Sequence, residues 1–209
     1  FFFTPNYSLS LEYSFIDKRN RIFAQEKDID SSDHLINASY KTAIGQFVAY
    51  GYLLEVDDAP DNSLDTYGGS YAGSFDVSGQ KVTVNLEAAT QDADAGSTSY
   101  TASYFAAEVG TAFSGIGLKL GYELLGSDDG MYGFSTPLAT GHKFNGWSDQ
   151  FLNTPNQGLA DIYVSAGGSL AGGKWAIIYH DFSADESTDT IDDLGTEINA
   201  VYTYNIDKN

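Results

Sequence analysis

One periodicity runs through most of this chain and limits what it can fold into. In "YSLSLEYSF", Tyr7, Leu9, Leu11, Tyr13 and Phe15 fall on one face of an extended strand, and Ser8, Ser10, Glu12 and Ser14 on the other. The same alternation sets Val82, Val84, Leu86 and Ala88 against Lys81, Thr83, Asn85 and Glu87. It sets Ile116, Leu118, Leu120, Tyr122 and Leu124 against Gly117, Lys119, Gly121 and Glu123. It returns as Ile198, Ala200, Tyr202 and Tyr204 against Glu197, Asn199 and Thr203. A period of two is that of a strand whose two faces meet different surroundings. Ten such strands are expected, at 7–16, 33–41, 45–55, 66–76, 81–90, 98–108, 113–124, 160–169, 174–183 and 195–205. Most are about ten residues long, the length with which a tilted strand crosses a bilayer core.

The connections alternate in length. Short ones ("KTAIG", "VSGQ", "GTAFS", "LAGG") follow the even strands. Longer ones follow the odd strands: "DKRNRIFAQEKDIDSS", "VDDAPDNSLD", "QDADAGS", the 126–159 segment and "ADESTDTIDDLG". Transmembrane β-barrels have short turns on one side of the membrane and longer loops on the other. Of the 29 acidic residues, 20 lie in 17–33, 55–65, 91–97, 126–158 and 183–195, all on the long-loop side. A soluble sandwich shows the same alternation with its apolar face inward, but it has no reason to gather charge at one end. The apolar face also carries Tyr13, Tyr122, Tyr202 and Tyr204, as interfacial aromatic girdles do. Small and charged residues in mid-strand on the polar face suit a wet lumen. The expected fold class is all-β: an antiparallel up-and-down transmembrane β-barrel. It forms one domain, 1–209, in the bacterial outer membrane with its long acidic loops extracellular.

Composition removes other classes. With ten Lys and Arg and a formal net charge of −19, the chain has no means of neutralising a phosphate backbone, so no nucleic acid is expected as a partner. It has no cysteine, hence no disulfide and no thiolate metal site. His180 and Asp181 are strand neighbours and project to opposite faces, and no Ser or Cys with a spaced His and Asp completes a nucleophilic triad. "DESTDTIDD" and "DDAPDNSLD" lack the turn glycine and terminal glutamate of an EF-hand loop. The chain is therefore expected not to be an enzyme, and to need no cofactor and no metal.

One stretch breaks the pattern. Within 126–159, "GHKFNGWSDQFLNTPNQGL" has no strand period, yet Phe134, Phe144, Trp147, Phe151 and Leu152 are too apolar to stand in solvent. "NGWSDQFL" is expected to form a short helix. The loop is expected to fold into the barrel mouth and present His142, Lys143, Asp149 and Gln150 to the permeant.

"YSFIDKRNRIF", "SSDHLINASY", "YGYLLEVDD", "GYELLGSDDGMYGFSTPLATGHKFNGWSDQFLNTPNQGL" and "IYHDFSADE" resemble the alginate-export-like family of Gram-negative outer-membrane proteins, across nearly the whole chain. The resemblance implies a porin-type barrel whose known relatives export an anionic polysaccharide through about 18 strands. It also implies members about twice this length, so 1–209 is expected to be a C-terminal part of a larger barrel; a closed ten-stranded barrel is the alternative. The family's conduit is expected to be basic. Here only Lys18, Arg19, Arg21 and the His142–Lys143 pair add positive charge near the outer mouth.

The alternation turns Glu12, Lys81, Glu87, Lys119, Glu123, Asp161, Lys174, His180 and Glu197 inward, a wall of mixed sign. The residues expected to line or constrict the pore are Arg19, Arg21, Glu87, Lys119, Glu123, His142, Lys143, Trp147, Asp149, Lys174, His180 and Glu197. The expected function is passive diffusion of small hydrophilic solutes with a mild cation preference. The alternatives are a conduit for alginate-like polysaccharide or uronate oligomers, and a non-conducting surface scaffold. Partners are outer-membrane lipid, lipopolysaccharide and the solutes themselves; a homo-oligomer is left open.

Overall fold

The computed structural model describes residues 2–3, 8–20, 28–139, 142 and 144–206. Thirteen strands appear in chain order: β1 (Phe2–Phe3), β2 (Leu9–Arg19), β3 (Ile29–Thr42), β4 (Gly45–Val56), β5 (Ala59–Val77), β6 (Gln80–Ala95), β7 (Thr98–Phe113), β8 (Ile116–Leu125), β9 (Ser127–Asp128), β10 (Tyr132–Gly133), β11 (Leu159–Leu170), β12 (Gly173–Ser183) and β13 (Asp193–Thr203). No helix occurs among the described residues. The main sheet runs β1-β2-β3-β4-β5-β6-β7-β8-β11-β12-β13, every pair antiparallel, and β9 with β10 forms a separate ribbon inside the long 126–158 segment. The ten long strands thus form the meander that the period-two pattern predicts. Among the described residues β13 pairs only with β12, and β1 only with β2, so this sheet is an open wall rather than a closed ring.

Three of the short turns have the same build. Ser78-Gly79, Ser114-Gly115 and Ala171-Gly172 each place two residues at positive φ, near 50° and then 82°. Two successive positive φ values make the type I′ turn, whose twist matches that of the flanking strands. Glycine in second place carries that conformation at no steric cost.

The other end differs from expectation. "VDDAPDNSLD" and "QDADAGS" read as loops, but β4 and β5 are joined by residues 57–58 alone, and β6 and β7 by 96–97. β5 is 19 residues long and β6 and β7 are 16 each, well beyond the ten or so that a bilayer needs. The acids there belong to strands because they bond across the ladder. Ser63 Oγ donates to Asp94 Oδ2 at 3.3 Å, Ser99 Oγ to Asp94 Oδ1 at 2.5 Å and Thr101 Oγ1 to Asp92 Oδ1 at 2.8 Å. Polar cross-strand pairs of this kind hold together the face of the hairpin ends that is turned away from the core.

The two faces of the wall divide as the alternation requires. Leu11, Phe15, Ile36, Leu86, Phe105, Leu120, Ile162, Ile177 and Ile198 stand outward and exposed, Phe15 by 53% and Ile198 by 71%. A continuous exposed apolar face is a liability in water and the natural surface of a barrel in lipid. The packed core lies on the opposite face, at the long-connection end: Ala102, Leu125, Phe134, Leu159 and Phe182, with Tyr104, Tyr132 and Phe151 against them.

Candidate functional site

Register places the inward charges on two neighbouring rungs of the ladder. One rung runs Ser70, Glu87, Ala106, Glu123, Asp161 across β5, β6, β7, β8 and β11. The next runs Asn85, Glu108, Gly121, Tyr163, His180, Glu197 from β6 to β13. Small residues between the large ones let the side chains lie down along the wall. A Cβ at Gly121 would collide with the Tyr163 ring, so only glycine allows that tyrosine to lie flat and aim its hydroxyl at Glu108.

Every charge on these two rungs is answered. Lys119 Nζ lies 2.9 and 3.2 Å from the two oxygens of Glu108, which also accepts from Tyr163 Oη at 3.0 Å and Asn85 Nδ2 at 3.0 Å. His180 Nδ1 is 2.9 Å from Asp161 Oδ2, both side chains being buried. Asp181 projects to the opposite face, and the partner of His180 is the inward acid two strand positions off across β11 and β12. Glu123 accepts from Tyr104 Oη at 2.7 Å and Asn145 Nδ2 at 2.9 Å, and Glu87 from Tyr50 Oη at 2.7 Å.

The 126–158 segment lies over this face, tied at three places. Glu197 accepts the backbone N–H of Trp147 at 2.5 Å and of Ser148 at 2.9 Å, Asn199 Nδ2 at 2.6 Å and the Ser148 hydroxyl. Gln91 is saturated: its amide nitrogen donates to Thr66 Oγ1 and the Ser135 carbonyl, and its oxygen accepts from Tyr132 Oη and the Ser135 N–H. Burial pushes the Tyr132 hydroxyl above its ordinary pKa, which keeps it a donor. Aromatic contacts complete the seal, Phe134 against Tyr104 at 5.4 Å and Phe151 against Phe182 at 4.7 Å. The expected helix over "NGWSDQFL" is absent: Gly146 at φ 85° and Asp149 at φ 58° leave the right-handed helical region, and the backbone donors serve Glu197 instead. Gly146 also gives room, since a Cβ there would meet the Glu197 carboxylate at 2.5 Å.

Two of the cavities beside the loop share Glu87, Tyr104, Glu123 and Phe144. The larger, about 550 Å³, is a groove along the wall past Glu108, Lys119, Asp161 and His180. The smaller, about 320 Å³, lies between loop and wall.

Of the twelve expected pore residues, the structure gathers Glu87, Lys119, Glu123, Trp147, His180 and Glu197 around this loop and groove. Arg19 lies at the outer end of β2, its Nε 3.1 Å from the fully buried Asp33 and its Nη2 3.4 Å from the Glu55 carbonyl. His142 and Asp149 pair with each other at 2.7 Å in the exposed part of the loop. Lys174 is opposite Ser169 and Thr203 at the short-turn end, away from the others. Arg21 and Lys143 lie outside the described residues. Glu108, Asn145, Gln91 and the inward tyrosines Tyr50, Tyr52, Tyr104 and Tyr163 were missed. Extending the period-two reading along strand 98–108 would have found Tyr104 and Glu108; the loop partners had no such signal. Among the described residues no three His, Asp or Glu side chains converge as a metal site.

No protein-family model and no curated protein matches the sequence. Two solved structures are similar. Pseudomonas aeruginosa OpdO aligns over 97% of this chain and 62% of its own, at TM-score 0.50 and 15% identity. Pseudomonas aeruginosa OccK11 (OpdR) aligns over 97% and 64%, at TM-score 0.47 and 14% identity. The chain spans less than two thirds of either. At this identity the likeness to OpdO shows the fold alone, an all-β antiparallel up-and-down sheet of the β-barrel kind.

Proposed function

We propose that this chain forms part of an outer-membrane channel through which small hydrophilic solutes diffuse passively, with a mild preference for cations. The observation that carries this reading is the loop. It crosses the polar face of the wall, is held by Gln91, Glu123 and Glu197 on three different strands, and leaves a groove of about 550 Å³ beside it. A tethered segment of this kind narrows a pore without filling it.

The wall's charge supports the cation preference. Lys119 is matched by Glu108 and Asp161 is bonded to the His180 imidazole, so among the described residues Glu87 and Glu123 face the groove with neither a lysine, an arginine nor a histidine as partner. Acidic strand ends and loops at the outer rim add to this over about 8 Å, the Debye length at physiological salt. The resemblance to alginate-export-like proteins suggests a polyuronate instead; the same carboxylates would repel one. An unpaired strand edge in hydrocarbon costs several kcal/mol per polar group. The edges of β13 and β1, unpaired among the described residues, therefore favour a larger barrel, of about 18 strands in the family resembled.

The test is the planar-bilayer current of the native protein under a salt gradient. A reversal potential of the sign for cation flow supports the reading. Anion selectivity blocked by uronate oligomers would replace it with polysaccharide transport, and absence of current would make the loop a plug.

A further inference from the structure

The smaller cavity carries chemistry that diffusion alone does not use. At about 320 Å³ it is within the range of small-molecule sites. Its lining is dominated by rings and aliphatic side chains, with Tyr50 and Tyr104 from the wall and Phe134 and Phe144 from the loop. Tyr50 is stacked on Tyr52 at 4.9 Å and 19°, and Phe144 is 62% exposed, a ring with no core of its own to join. Two carboxylates, Glu87 and Glu123, reach this space, and among the described residues no Lys, Arg or His lines it.

The polar groups there are unequally occupied. Glu123 uses one oxygen for Tyr104 and the other for Asn145, and Gln91 has all its amide capacity taken. Glu87 accepts from Tyr50 through Oε1, and among the described residues no group donates to its Oε2. The cavity therefore offers one open anionic acceptor among aromatic faces. A sugar would find few unsatisfied partners, and an anionic solute would meet two like charges. An ammonium finds both things that replace its water: a carboxylate and ring faces.

We propose that this cavity binds a small organic cation, an ammonium on an apolar or aromatic body, with Glu87 as its counter-ion. The proposal deepens the channel reading and rests on it: the bound cation is a permeant held where the loop narrows the path. The experiment is calorimetric titration of the native protein in detergent with phenethylammonium, phenethyl alcohol and phenylacetate, which share a ring and differ in charge. Phenethylammonium should bind about tenfold more tightly than either of the others, and Glu87→Gln should remove that advantage. Phe144→Ala, at a mostly exposed ring, should weaken it severalfold and serves if Glu87→Gln fails to assemble. Equal binding of the three probes, or binding indifferent to both substitutions, overturns the site. Bilayer current measured alongside separates the two claims. A conducting, cation-selective pore without this binding refutes the cavity alone; selective binding without current refutes the channel and leaves the cavity standing.

Discussion

The two halves of the wall are built from the same alternating strands and are held together differently. Toward the short turns, the inward side chains are small or exposed and three of the hairpins are closed by type I′ turns. Toward the long connections, Leu125, Leu159, Phe182, Gln91, Asp161 and His180 are buried beneath the 126–158 segment. A barrel wall has lipid on one side and water on the other, and neither side supplies a core. The loop brings one. It lends half of the sheet the packing of a globular protein, and in the proposed channel it would also narrow the path of a solute.

Removing the loop should therefore have the largest effect. Replacing residues 134–156 with a short Gly/Ser link should raise unitary conductance and lower stability together. An unchanged conductance would mean that the loop rides on the rim. At single-residue level, Phe182→Ala should cost about 3–5 kcal/mol in urea unfolding, read by heat-modified gel mobility. Val48→Ala, inward but without a loop above it, should cost under about 1 kcal/mol. Equal costs would abolish the distinction between the halves.

Asp161→Ala leaves His180 buried without its acceptor and should cost about 2 kcal/mol in the same assay. Asp161→Asn should recover part of it. Glu197→Ala removes the acceptor of two backbone donors and the Ser148 hydroxyl, so the loop should loosen while the strands hold. Chymotrypsin should then cut at Trp147 or Phe151 about tenfold faster. The smallest effect belongs to Lys119→Gln. Its pair with Glu108 is half-exposed and contributes no more than about 0.5 kcal/mol, yet freeing Glu108 should move the reversal potential further toward cations.

What could be read from the chain follows the reach of each interaction. The inward placement of Glu87, Lys119, Glu123, Asp161, His180 and Glu197 needed only the period of two. The hairpin extensions were hidden because Asp92 and Asp94 look like loop residues until Ser63, Ser99 and Thr101 are brought opposite them. The "NGWSDQFL" helix failed because Gly146 and the backbone of Trp147 and Ser148 are committed to a carboxylate some fifty positions away.

By itself, the sequence determined the ten long strands, their two faces, the short turns and the acidic end, since alternation and turn chemistry act between residues a few positions apart. Tertiary structure alone decided which carboxylate answers which cation, where the long segment lies and what space remains beside it. Those depend on register across several strands and on a loop finding acceptors far along the chain, and no local pattern encodes either.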